Sequence, residues 1–176
     1  ITHMEISQIA MQMADNASRV GEYDVLVNRR VNEDDIREAF VGVGKLGEKL
    51  DIYGQGRVVV SSLEVNPQGG QWIRWQRCRG AKNYTAKWGG EGTGATGNSF
   101  EGMGDAPKLK ATSGSAVMFV EVSYTYEALT PFDFLDGNDI EYTAAFNVRD
   151  QRNLTQLFPS STGKPRQGCN TFSANN

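Results

Sequence analysis

The first regular pattern along the chain is a stripe of apolar residues spaced three or four positions apart. It comprises Ile6, Ile9, Ala10, Met13, Ala17 and Val20. This spacing places all six on one face of an α-helix, so the sequence predicts an amphipathic helix ending near residues 20–21. The face could fill the domain core alone. Because the spacing is close to a heptad, we expect packing on a sheet at its C-terminal end and against other helices at its N-terminal end.

The residues before this helix supply no native start signal. Ile1-Thr2-His3-Met4 resembles a cloning-vector remnant, so residues 1–4 are set apart from the native fold. Ser7 has no Glu or Gln three positions later, as a capping box would require. We therefore expect residues 5–20 to be the C-terminal part of a longer native helix.

A second, shorter helix is predicted over residues 32–40. Asn32 can cap its first turn, which is acidic and therefore complements the helix dipole. Five glycines between Gly42 and Gly56 then predict turns and loop around a short extended piece.

Four later segments have the composition or the alternation of β-strands. They are residues 57–65, 71–78, 116–127 and 139–149. A short turn joins the first two as a hairpin, and a longer loop joins the last two. Such a sheet of about four antiparallel strands needs a cover, which the N-terminal helix can supply. The predicted fold class is α+β, with an N-terminal α-helix packed on an antiparallel sheet in one domain over residues 5–176.

Composition narrows the class of partner. The 176 residues carry a formal net charge of −3 and no run of Lys or Arg, so a nucleic-acid partner is not expected. No apolar run approaches the roughly 20 residues that a membrane-spanning helix needs. The length suits a single domain with a core of its own.

Glycines are concentrated between the two predicted hairpins. Residues 88–104 hold seven glycines in seventeen positions. Gly92–Gly97 and Gly42–Gly47 both fit the GxGxxG pattern of dinucleotide-binding loops. That pattern binds phosphate where a strand delivers the glycines to a helix N-terminus, and neither copy has this predicted context. We interpret residues 88–104 as a surface loop.

Few residues suit catalysis or metal binding. The single histidine, His3, lies in the vector-like segment, so we predict no enzyme and no cofactor. A weak candidate for a calcium site is the set Asp133, Asp136, Asn138 and Asp139. Their spacing does not match an EF-hand loop, and a solvated turn is the more ordinary interpretation.

Aromatic and sulfur-containing residues leave further alternatives open. Trp72, Trp75 and Trp88 could stack on sugar rings, although core contacts are the more common role of such side chains. Cys78 and Cys169 are too isolated for a zinc site. They are either buried thiols of a cytosolic protein or one long-range disulfide of an exported protein.

Several segments also carry a family resemblance through their order and spacing. They are residues 14–20 (ADNASRV), 56–63, 75–82 (WQRCRGAK), 91–97 (EGTGATG), 118–124 (MFVEVSY) and 142–150 (YTAAFNVRD), followed by the lone Cys169. Together they resemble TadE-like proteins, the minor pilins or pseudopilins of the bacterial tight-adherence (Tad) pilus, a branch of the type IV pili.

The resemblance implies a pilin-like fold with a hydrophobic N-terminal helix that a prepilin peptidase processes. That helix would anchor the subunit in the inner membrane and later pack in the filament core, and we expect it to have been removed here. The implied partners are other pilins and minor pilins of the Tad system. The implied location is the inner membrane and periplasm, then the extracellular pilus, where Cys78 and Cys169 would form a disulfide.

The expected function is therefore a structural one: to help initiate or prime pilus assembly, with a place at the filament tip and a role in surface adhesion. The alternative is an exported carbohydrate- or calcium-dependent binding module that is not built into a pilus. About 20 apolar residues continuous with Glu5 in the gene product would favour the pilin, and an ordinary cleaved signal peptide would favour the alternative.

Overall fold

The structure is a computed structural model, and it describes residues 1–24, 27–126, 137–148 and 153–175. The helices are α1 (Thr2–Arg19) and α2 (Glu33–Leu46), and a 3₁₀ turn follows at Glu48–Leu50. The strands are β1 (Glu22–Asp24), β2 (Val27–Arg30), β3 (Gly56–Val65), β4 (Gln71–Arg79), β5 (Val117–Thr125) and β6 (Asp139–Asn147). In the described part of the chain, no helix combines the length and the apolar character needed to cross a membrane.

The β-strands form one small and one large sheet. β1 and β2 pair as an antiparallel hairpin. The large sheet has the strand order β4-β3-β5-β6, and all its neighbouring strands are antiparallel. The two predicted hairpins are thus β3–β4 and β5–β6, and they join through the pairing of β3 with β5. The N-terminal helix and this four-stranded antiparallel sheet confirm the α+β class.

Helix α1 packs on the β5–β6 side of the large sheet. The predicted stripe lies in the core over the whole helix, since Ile6, Ile9, Ala10, Met13 and Ala17 are at most 1% exposed. Val20 follows the last helical residue and is partly buried against the same core. Ile6 is as buried as Met13. Both ends of the stripe therefore lie in a core that α1 shares with α2 and the sheet, and packing against helices of other molecules stays a prediction.

Helix α2 begins as predicted, with Asn32 and Asp35 forming a reciprocal capping box. It ends later than predicted, at Leu46, because Val43 continues the buried face of the helix. The prediction of a loop beginning at Gly42 is therefore wrong for residues 42–46, which are helical.

A close contact explains why glycine occurs inside α2. The ring of Tyr53 lies so near Gly44 that a Cβ atom there would be 2.8 Å from Cε2 of the ring. The Tyr53 hydroxyl also donates a hydrogen bond to the carbonyl oxygen of Phe40 at 2.5 Å. Gly44 thus allows the approach of an aromatic side chain, a role that composition alone does not distinguish from a turn.

Among the described residues, the segments that cover the other face of the large sheet contain no helix and no named strand. Residues 81–116 and the C-terminal residues 166–175 lie over it, and we call these two segments the loop layer. A second apolar cluster lies between the sheet and this layer: Leu63, Ile73, Met103, Ala111, Val117 and Phe119. The molecule therefore has three layers, namely helices, sheet and loop layer.

The buried face of α1 gives a direct stability test. We expect Ile9→Ala to lower the free energy of unfolding by about 2–5 kcal/mol, because Ile9 is 1% exposed and its truncation leaves a cavity. Met11→Ala is the matched control on the same helix, since Met11 is 46% exposed, and its effect should stay within about 0.5 kcal/mol. Urea unfolding followed by circular dichroism measures both. Equal losses would contradict the assignment of this face to the core.

Candidate functional site

A disulfide fastens the C-terminal tail to the large sheet. Cys78 of β4 and Cys169 are bonded, with Sγ atoms 2.06 Å apart, so the structure confirms the pairing that the resemblance implied. The tail then follows the outer edge of β4. The amide of Cys78 donates to the carbonyl oxygen of Gln167 at 3.1 Å, and that of Gly80 to the carbonyl oxygen of Ser173 at 2.9 Å. Closing a loop of 91 residues contributes up to roughly 4–5 kcal/mol in the chain-entropy model.

A buried arginine holds the same tail from inside. Arg57 of β3 is 0% exposed, and its guanidinium donates to the carbonyl oxygens of Gly80 at 2.9 Å, Cys169 at 2.8 Å and Thr171 at 3.1 Å. The ring of Phe172 lies 4.1 Å from its Cζ atom. Burial lowers the pKa of Arg57 below its ordinary value. The guanidinium thus replaces water as the partner of tail carbonyls that no strand pairs.

A second buried arginine links the helix layer with the loop layer. The Arg77 guanidinium on β4 lies 2.5 Å from the carboxylate of Glu33 on α2 and 2.6 Å from that of Glu91 in the glycine-rich segment. Burial alone would lower the pKa of Arg77, but hydrogen bonds and charge from Glu33 and Glu91 outweigh it and raise that pKa. Glu91 also accepts from the amide of Gln76 at 2.9 Å, at the edge of β4.

A buried carboxylate anchors the start of the loop layer. One oxygen of Glu121 on β5 accepts from the Tyr84 hydroxyl and from the amide of Lys87, both at 2.8 Å. The other oxygen, Oε1, is buried without a hydrogen-bond partner. Burial raises the pKa of Glu121, and burial together with the Glu121 charge raises the pKa of Tyr84.

The glycine-rich motif packs against the molecule's own backbone. Asn66 in the β3–β4 turn donates to the carbonyl oxygens of Gly94 at 2.8 Å and Gly97 at 2.7 Å. The amide of Ile73 donates to the carbonyl oxygen of Thr93 at 2.9 Å. Gly94 has φ +75°, and a Cβ atom there would lie 2.1 Å from the carbonyl oxygen of Gln71. The motif therefore closes a turn over β4, and the described residues 98–126 that follow it contain no helix to receive a phosphate.

The candidate calcium ligands are only partly within the described residues. Asp133 and Asp136 lie outside them. The Asp139 carboxylate is engaged by Lys82 Nζ at 2.6 Å and by the Thr125 hydroxyl at 2.8 Å, and the Lys82 and Thr125 hydrogen bonds lower its pKa. Among the residues that the structure describes, no three His, Cys, Asp or Glu side chains are grouped to hold a metal ion.

The three tryptophans do not share one surface. Trp75 is 7% exposed and belongs to the core on the helix side of the sheet. Trp88 lies on the opposite side, in a T-shaped contact with Phe119 at a centroid distance of 5.2 Å. Trp72 is covered by the Arg74 guanidinium, whose Cζ is 4.4 Å from the ring centroid. The sugar-stacking platform considered from the sequence is therefore not formed.

The helix face predicted for assembly is not on the surface of the molecule. Its residues Ile6, Ile9, Ala10, Met13 and Ala17 are buried within this molecule, so a contact of α1 with helices of other molecules needs residues outside this face. Met11 on α1 and Val41 and Leu46 on α2 are the large apolar side chains that these helices expose from residue 5 onward, at 46%, 43% and 52%.

Sequence reasoning missed the charged residues that assemble the loop layer. Arg57 and Glu121 are charged residues within strands that are buried almost throughout, and a charge inside such a segment is a signal that the sequence does contain. The hydrogen-bond partners of these residues could not be predicted from local sequence, because Arg57 bonds to residues 112 and 114 positions away. These groups hold backbone and side chains of the loop layer in place.

Comparisons with family models, with curated proteins and with solved structures found no match to this chain. The functional inference consequently rests on the residues, the disulfide and the fold.

The raised pKa of Glu121 can be tested through the pH dependence of stability. Since the folded state raises the pKa of Glu121 above its ordinary value of 4.5, the native protein binds this proton more readily than the unfolded chain. Lowering the pH from neutral toward 4.5 should therefore increase the free energy of unfolding of the wild type relative to Glu121→Gln. Urea titrations of both proteins across this range measure the difference, in which groups common to both cancel. A difference that stays constant with pH, or falls on acidification, would be inconsistent with this assignment.

Proposed function

We propose that this protein is an exported structural and interaction protein, a TadE-like minor pilin or pseudopilin that helps to initiate or prime assembly of a Tad-type pilus. It performs no catalysis in this proposal. Its work is to pack beside other pilins through its helical side and to present the loop layer to partner minor pilins or to a surface.

The disulfide carries the proposal. Cys78 and Cys169 are bonded, and structural disulfides persist in oxidising compartments such as the periplasm and the cell exterior. The bond joins the edge strand β4 to the C-terminal residues 166–175, which also bond to the backbone at Cys78 and Gly80. This supports an exported protein over a cytosolic one.

The positions of the resembling segments give further support. Residues 14–20 include the end of α1, 56–63 lie in β3, 75–82 include the end of β4, 118–124 lie in β5, and 142–147 lie in β6. The resemblance therefore falls on the helix and on all four strands of the large sheet. Residues 91–97 form the turn that Asn66 holds over β4. Segments of this kind are those expected to match between proteins that share a core.

The proposal places the subunit first at the inner membrane and then in the filament. An apolar segment continuous with α1 would join the helical bundle of the other pilins, and the domain formed by residues 5–176 would stand outside it. The alternative, a carbohydrate- or calcium-dependent adhesin, gains no support from the tryptophans, which lie on opposite sides of the sheet, or from Asp139, which is paired with Lys82.

Deleting the gene and restoring it on a plasmid tests this function. We expect the deletion strain to make few or no Tad pili and to adhere poorly, and the wild-type gene to restore both properties. Pili are counted by electron microscopy, and adhesion is measured on the same cultures. Normal pilus number with lost adhesion would favour the separate adhesin, and normal pilus number with normal adhesion would contradict both functions.

A further inference from the structure

The two edge strands of the large sheet differ in how their outward backbone groups are hydrogen-bonded. The outer edge of β4 is covered, because its backbone bonds to Thr93, to Gln167 and to the carboxylate of Glu91. Gly80, the residue after β4, bonds to Ser173. The other edge is β6, a strand of nine residues. Among the described residues, none beyond β5 and its flanks forms a hydrogen bond with the backbone of β6.

The ladder between β5 and β6 shows which groups of β6 point outward. The amide of Val148 donates to the carbonyl oxygen of Ala116, and that of Tyr126 donates to the carbonyl oxygen of Asn138. Hydrogen-bonded pairs alternate in an antiparallel ladder, so the even-numbered residues of β6 bond to β5. The outward amides and carbonyls belong to Asp139, Glu141, Thr143, Ala145 and Asn147.

An edge of this length is a template for another strand. We propose that β6 pairs antiparallel with β6 of a second copy of this chain, about a two-fold axis at Thr143. All nine residues of each strand are then paired, and the two four-stranded sheets become one sheet of eight. The inference does not depend on the pilus proposal.

Charge along the strand favours this partner and this register. Both acidic residues lie in the first half of β6, and the second half is uncharged. Antiparallel pairing centred on Thr143 places Glu141 opposite Ala145 of the second copy, and Asp139 opposite Asn147. Centring the pair on Glu141 would place the two Glu141 side chains opposite each other, which is destabilising. A parallel pair in register would do the same, because each acidic residue would face its own copy.

The side chains on the helix side of β6 are complementary in the same register. Ile140 would lie opposite Phe146 of the second copy, and Tyr142 opposite Ala144. These are the non-hydrogen-bonded pairs, in which side chains approach most closely. Phe146 also lines an open groove of about 310 Å³ beside Met11 of α1, which gives the side chains of a neighbouring strand room to pack.

A cysteine at the proposed two-fold axis tests the pairing. Thr143 is exposed, and two copies of it would have Cα atoms about 5.5 Å apart, within reach of a disulfide. Under mild oxidation we expect Thr143→Cys to form a covalent dimer, doubling the 19.3 kDa mass on a non-reducing gel. Thr85→Cys, exposed in the loop layer, is the control and should stay monomeric. Peptide mass spectrometry checks that the new bond joins two residues 143 and that Cys78–Cys169 is intact.

Mixing two single variants tests the register. Glu141→Cys alone and Ala145→Cys alone should form little covalent dimer, whereas an equimolar mixture of the two should form it readily. Wild-type protein should sediment as a dimer at high concentration. Monomeric sedimentation at every concentration, with Thr143→Cys linking no better than Thr85→Cys, would overturn the proposal. So would a mixture that links no more than either variant alone.

Discussion

The structure depends on one constraint: the two central strands of the large sheet are buried on both faces. Val58, Val59 and Val60 of β3 are each 0% exposed, although adjacent residues of a strand point to opposite sides. Each face therefore needs its own cover. Helices α1 and α2 cover one face and satisfy their backbone hydrogen bonds internally. The loop layer covers the other, and because it has no helix or strand, its buried backbone groups need partners from elsewhere.

Charged side chains buried at the sheet supply those partners. Arg57 donates to three carbonyl groups of the loop layer and its border, and Glu121 accepts from Tyr84 and from the amide of Lys87. Such groups are costly to bury without partners, so each of them and the irregular segment it holds stabilise one another. The Cys78–Cys169 disulfide adds the covalent link that keeps the tail within reach of Arg57. An irregular layer held in this way can present a shaped surface while the sheet beneath it remains intact.

Local periodicity and composition account for the part of this fold that the sequence predicts. The apolar stripe of α1 follows from a repeat of 3.6 residues, and β5 and β6 follow from a repeat of two. β3 and β4 follow instead from strand-like composition on either side of a short turn. The end of α2 is not predicted, because Gly44 looks like a turn residue until the ring of Tyr53 is placed beside it. The hydrogen bonds that Arg57 and Glu121 make to the loop layer are not predicted either, because the bonded residues are distant in sequence. The sequence alone also cannot decide the hypothesis of a sugar-stacking surface. Composition does not show that Trp75 and Trp88 lie on opposite sides of the sheet.

In this interpretation the Cys78–Cys169 disulfide holds the tail against the edge of β4, and the helix side of the sheet keeps its fold without that bond. Amide hydrogen exchange of the oxidised and the gently reduced protein tests this most directly. We expect reduction to remove protection at Cys78 and Gly80, whose amides bond to the tail, while Val58 and Val60 stay protected. Unchanged protection at Cys78 and Gly80, or equal loss throughout the sheet, would contradict it.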